Sequence, residues 1–245
     1  MWTRAALLIH GVLAMLFATA LACEAGGGWP RGTDRVFASV SYSTFGDMQA
    51  YATGLAYSIP GVEPPELAEE IGLYVELGLS ETLTFGLDRN SRPKQETQST
   101  IFFLRKNYSR PNWRNSYGIE IGFGSYRDWR QINETQLRLG LAWGRGFETR
   151  WFDGWAEVDA KVATLEKTES IYWKVDSTLG IKPNDRSLIF LQMQSGAMDD
   201  FDIYTRAVPT YVMKINQRIS LESAVTVGVR NDDAQGIKVG AWLEF

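Results

Sequence analysis

Gly236-Ile-Lys-Val-Gly-Ala-Trp-Leu-Glu-Phe245 closes the chain, and its period is the key to the rest. Ile237, Val239, Ala241, Leu243 and Phe245 share one face, while Lys238, Gly240, Trp242 and Glu244 share the other. A repeat of two marks an extended strand with two different environments. Ile219 to Val229 repeats the pattern, with Ile219, Leu221, Val225, Val227 and Val229 opposite Ser220, Glu222, Ala224, Thr226 and Gly228. So do 71–79, 83–87, 117–123 and 137–143. Segments 36–44, 99–108, 155–164, 171–181, 188–195 and 203–215 are rich in β-branched and aromatic residues but mix their faces. Pro209, which cannot donate to a ladder, predicts a bulge or break in the last of these. Together the segments make about twelve strands, and no stretch reads as a long amphipathic helix.

Alternation alone fits a soluble sandwich or a transmembrane barrel turned inside out. Glycine separates the two. Gly72, Gly78, Gly86, Gly118, Gly122, Gly124, Gly140, Gly144, Gly180, Gly228 and Gly240 lie on the polar faces, where a crowded lumen needs small residues and a solvated surface does not. The apolar runs cover the nine to eleven residues that a tilted strand needs to cross a bilayer, and only closure satisfies every backbone group in lipid. Trp113, Trp129, Trp151, Trp155, Trp173 and Trp242 fall near strand ends, where interfacial girdles form. The predicted fold is therefore all-β, an antiparallel up-and-down transmembrane β-barrel over residues 34–245. Its connections are expected to alternate between long (46–68, 89–98, 196–203) and tight (Ser80-Glu81-Thr82, Pro183-Asn184-Asp185, Asn216-Gln217-Arg218). Residues 108–116 and 145–153 are exceptions, too long for the tight side, and 166–170 is too short for the long side.

Ahead of the barrel, residues 1–22 combine Arg4, an apolar run and the ending Ala20-Leu21-Ala22, as a secretory signal peptide does. Residues 23–33 read as a flexible segment, with Cys23 first after the cleavage point. The chain of 245 residues carries 25 basic and 29 acidic side chains, a net charge of −4, and loss of Arg4 makes it one unit more negative. No basic stretch offers a nucleic-acid footprint. The single Cys excludes an internal disulfide. The single His, His10, lies in the leader, which leaves the mature chain without an imidazole for triad, proton-shuttle or zinc chemistry. No catalytic, cofactor or metal residues are expected.

The last strand resembles the closing strand of Gram-negative outer-membrane barrels, with a terminal Phe and apolar residues at every second position before it. That resemblance implies an outer-membrane location, contact with outer-membrane lipids, and recognition of Phe245 by the barrel-assembly machinery. Glu76-Leu-Gly-Leu-Ser-Glu-Thr-Leu-Thr-Phe-Gly-Leu-Asp88 is similar to a hairpin of small proteobacterial barrels, and it is a folding signature rather than a site. Ala20-Leu21-Ala22-Cys23 resembles a lipoprotein box, which would make Cys23 a lipidation site, though it equally suits ordinary signal peptidase. Expected lumen-facing residues are Glu76, Glu120, Arg138, Glu157, Asp159, Lys161, Lys174, Asp176, Glu222, Lys238 and Glu244. Two functions fit: a channel for small solutes whose lumenal charges shape the path, or a structural or surface-interaction barrel whose charges pair and plug the lumen.

Overall fold

The computed structural model describes residues 26–48, 50–51, 66–109, 114–199, 201–232 and 235–245. Residues 1–22, read above as a signal peptide, Cys23, Trp113 and most of the first connection lie outside them. Twelve strands follow in order: β1 Val36–Gly46, β2 Ala68–Gly78, β3 Leu83–Arg92, β4 Thr97–Ser109, β5 Asn115–Arg127, β6 Asn133–Glu148, β7 Asp153–Leu165, β8 Ile171–Asn184, β9 Ser187–Met198, β10 Tyr204–Lys214, β11 Ile219–Arg230 and β12 Gln235–Glu244. Each pairs with its sequence neighbours, and β1 pairs with β12 to close the barrel. All these pairings are antiparallel. The seam sets Ser39 against Trp242 and Ser43 against Lys238. Val36 and Phe245 exchange two backbone bonds of 3.0 Å at its end, so the terminal Phe is the last rung of the ladder. The rim that holds both barrel ends is called terminal below, and the opposite one distal.

Alternation puts the apolar face outside. Ile119, Ile121, Phe123, Leu137, Leu139, Leu141, Ile237 and Val239 are all exposed, an arrangement stable only against lipid. Trp129 and Trp151 are exposed in the β5–β6 and β6–β7 connections. Trp155 and Trp242 are not: both are buried in the lumen, because their positions share the inward parity of Glu157 and Glu244.

The expected sorting of connections reduces to one long example. Residues 89–92 and 97–98 belong to β3 and β4, leaving a 3-10 turn at Pro93–Gln95. Strand ends likewise shorten 108–116, 145–153 and 196–203 to connections of five, four and five residues, so the first connection, between Gly46 and Ala68, stands apart. The tight turns are fixed by their own side chains. Ser80 Oγ accepts the N–H groups of Thr82 and Leu83 at 3.3 and 3.1 Å, and Asn216 Oδ1 those of Arg218 and Ile219 at 2.8 and 2.9 Å, the short-range bonding that favours these residues in turns. β10 pairs with β9 continuously through Pro209, which sits opposite Leu191, but its ladder to β11 skips Val208 and Pro209, and a further register shift lies at Thr205/Arg206.

Lumenal glycines make room for rings. A β-carbon at Gly180 would stand 2.3 Å from the Trp155 indole, and one at Gly86 would stand 2.2 Å from the Phe103 ring. Gly180→Leu is therefore expected to destabilise the barrel by about 1–3 kcal/mol, the usual cost of overpacking. The readout is the temperature at which the folded band disappears in a heat-modifiability gel. An unchanged temperature would mean that Trp155 does not occupy the lumen.

Candidate functional site in the lumen

The lumen has two unlike sides. Along β2 to β6 it is filled by a chain of ion pairs. Arg105 on β4 reaches Glu76 at 2.6 Å and Glu120 at 3.2 Å, and it donates to the Tyr74 hydroxyl at 2.7 Å. Arg138 on β6 continues the chain, bonding Glu120 at 3.0 Å and Asp88 at 2.6 Å. Tyr74 stacks on Phe103 with centroids 5.8 Å apart, and both guanidinium groups lie over that same ring. Glu76 is 0% exposed and Arg105 1%. Charges so deprived of water persist only when paired and hydrogen-bonded, and here every carboxylate in the chain meets a guanidinium.

Along β8 to β12, toward the distal rim, the lumenal side chains are polar but reachable by water. Lys174 pairs with Asp176 at 2.8 Å, Lys238 with Glu222 at 2.8 Å and Arg206 with Asp232 at 2.7 Å. The Lys174 and Lys238 side chains remain 38% and 32% exposed. Gln192 and Gln194 lie between them on the same face of β9, Gln194 donating to the Gln192 side-chain oxygen at 2.5 Å. At the border between the two sides, Lys161 pairs with Asp159 at 2.9 Å and stands in register with Lys174, as Asp159 does with Asp176.

The terminal mouth is different again. Phe37, Trp155, Leu188, Val212 and Trp242 form one buried cluster, against which Trp29 and Phe190 pack. Trp29 comes from the segment ahead of β1. Gly32 (φ 82°) and Asp34 (φ 61°) reverse the chain at the terminal rim, so the described residues before them run back along the lumenal wall. Gly28 N–H donates to Glu157 at 2.9 Å, Asn107 donates to the Gly27 carbonyl at 3.0 Å, and Arg31 pairs with Glu76. The segment read as flexible from its glycines thus has built partners over 26–35.

All eleven sequence-derived candidates carry the inward parity of their strands. Glu76, Glu120 and Arg138 belong to the buried chain, Glu157 holds the N-terminal segment, and Asp159, Lys161, Lys174, Asp176, Glu222 and Lys238 border the watered side. Glu244 sits at the terminal rim opposite Phe37. The structure adds Tyr74, Asp88, Arg105, Arg206 and Arg31. Asp88 carries the signal of its hairpin, following Thr84 and Gly86 on the polar face. Arg105 is harder to find, since Ile101 and Phe103 precede it on the inward face while Phe102 and Leu104 face lipid.

No protein-family model matches the sequence, and no curated protein matches it. Solved structures do. The KdgM porin in complex with disordered oligogalacturonate aligns with a TM-score of 0.57 and 10% identity, over 84% of this chain and 99% of that one. The COG4313 outer membrane channel from Pseudomonas putida F1 aligns with a TM-score of 0.55 and 10% identity, over 91% of this chain and all of that one. The NanC porin aligns with a TM-score of 0.53 and 9% identity, over 84% and 98%. At such identities the likeness is one of architecture, and the chain has the fold of the Gram-negative outer-membrane barrels.

Proposed function

We propose that the protein is an outer-membrane channel for small polar solutes, and not an enzyme, with its path along the β8–β12 side of the lumen. The observation that carries this reading is the contrast between the two sides. The β2–β6 side is packed with buried ion pairs, whereas on the β8–β12 side Lys174 and Lys238 keep about a third of their side chains exposed to water above more deeply set Asp176 and Glu222. The solved structures of similar fold named above are porins and channels, which supports it. Cation and carboxylate are matched within 2.7 to 2.9 Å along the path. Fields therefore act locally across the lumen rather than along it, and little selection between simple cations and anions follows. Lipid contact through the apolar band and recognition of Phe245 by the assembly machinery belong to the same reading.

Planar-bilayer recording of the refolded protein tests it. Discrete conductance steps are expected, with a reversal potential near zero in a salt gradient. Lys174→Glu with Lys238→Glu should shift the reversal toward cation preference, since both ammonium groups face the path. Glu120 and Arg138 are poor probes because they hold the buried chain together. The structural-barrel reading is favoured by the filled terminal mouth. It would prevail if the folded protein stayed silent under every condition, including after removal of the lumenal N-terminal segment.

A further inference from the structure

We infer that residues 26–31 form a releasable plug that closes the terminal mouth of the lumen. The inference rests on the channel reading above.

The watered path along β8–β12 does not run the length of the barrel. Toward the terminal rim its wall turns apolar at Phe190, Val212 and Trp242, and Trp29 packs on that cluster. Solute descending from the distal side therefore meets the N-terminal segment before it meets the exit. The segment itself is built to dock lightly. Gly26, Gly27 and Gly28 have no side chains to interlock with the wall, and their carbonyl and amide groups are read individually by Asn107 and Glu157. Only two side chains anchor it. The Trp29 indole fills the space over Gly144, where a β-carbon would stand 2.5 Å from the ring. Arg31 pairs with Glu76 and lies 4.3 Å from the Phe37 ring centroid.

The receiving residues are made for an occupant. Glu157 is 4% exposed, and a hydrogen bond from the Gly28 amide reaches its carboxylate. Gly118 and Gly144 face the segment closely enough that a β-carbon at either would collide with it, at 2.5 Å from the Gly27 carbonyl oxygen and 2.5 Å from Trp29. Small wall residues on β5 and β6 thus open a groove of the segment's own width. A pivot is present as well, since the reversal at Gly32 and Asp34 lies at the rim, outside the strands. Rotation at Gly32, ahead of the Asp34 N–H bond to the Gly78 carbonyl, moves residues 26–31 out of the lumen without breaking a rung of the ladder. Glu76 keeps Arg105 when Arg31 leaves, so that carboxylate stays paired in both positions, while Glu157 and Asn107 exchange the segment's backbone for lumenal water.

The test compares wild type, Trp29→Ala, Arg31→Ala and a variant lacking residues 26–31 in planar bilayers, with folding checked by heat-modifiability. Each single substitution is expected to raise the occupancy of the fully open level about tenfold, equivalent to about 1.4 kcal/mol, and the deletion should abolish the closed level. A second readout needs no current. Trypsin should cleave after Arg31 slowly in the folded wild type and many times faster in Trp29→Ala, as followed by mass spectrometry of the released N-terminus. Conducting protein with the same gating in all four forms, and equal cleavage rates, would overturn the plug while leaving the channel intact. Silence in every form, the deletion included, would overturn the channel itself, and the gate with it.

Discussion

Arg105→Met is expected to cost the folded barrel about 3–5 kcal/mol, the usual consequence of removing one partner from a buried charge cluster. The residue is 1% exposed and bridges two carboxylates, at 2.6 Å on Glu76 and 3.2 Å on Glu120, while also donating to Tyr74. Its loss leaves Glu76 to Arg31 and Glu120 to Arg138, so both acids keep one cation each. The cost therefore falls toward the lower end of that range. It should fall further in the double variant Arg105→Met with Glu76→Gln, because the second change removes a charge that the first leaves underpaired. Lys174→Met is the contrast: its pair with Asp176 is half in water, where such pairs contribute about 0–1 kcal/mol. Urea unfolding in lipid vesicles, followed by tryptophan fluorescence, measures all three. Equal midpoints for Arg105→Met and Lys174→Met would show that the β2–β6 side is as wet as the other, and the division of the lumen would have to be abandoned.

That division was only partly legible in the sequence. Ile219–Arg230 and Gln235–Glu244 read cleanly because lipid lies on one face of each strand and a polar lumen on much of the other. β7, β9 and β10 mix because their lumenal positions change character along the strand. Leu188 and Phe190 on β9 face the aromatic cluster, while Gln192 and Gln194 on the same face meet water. A period-two reading presumes one environment per face, and these strands have two on the inner one. The same presumption hides Arg105 behind Phe103. It also assigns Trp155 and Trp242 to the girdle when parity already placed them inside. The N-terminal segment escapes for another reason. Its hydrogen bonds to Asn107 and Glu157 are made by the backbone of Gly27 and Gly28, and nothing in residue identity distinguishes a glycine run that docks from one that does not. The register of the barrel, which sets Asn107 and Glu157 on opposite sides of that run, is a property of twelve strands together.

The outer face offers the second large effect. Ile121→Arg is expected to destabilise the inserted barrel by about 2–4 kcal/mol, the cost of a cationic side chain near the bilayer midplane on the lipid side of a barrel. Ile121 lies at the middle of β5, is 54% exposed, and is flanked on its own face by Ile119 and Phe123 and across the β5–β6 pair by Leu139. Nothing in that surround can pair with a guanidinium. The side chain must reach several residues toward either rim for water, and a mid-strand position gives it the longest reach. The sign of the effect is what makes the experiment decisive. In a water-soluble barrel, replacing a half-exposed Ile with Arg removes apolar surface from solvent and is neutral or mildly favourable. In a bilayer it costs several kcal/mol, and the same change at Val229 near the distal end of β11 should cost far less, about 0–1 kcal/mol. Reversible folding into vesicles, with Ile121→Arg and Val229→Arg compared in the same lipid, reads that depth dependence directly. Equal costs at the two positions would show that the apolar face does not span a bilayer core, and the lumenal path would then have no membrane to cross.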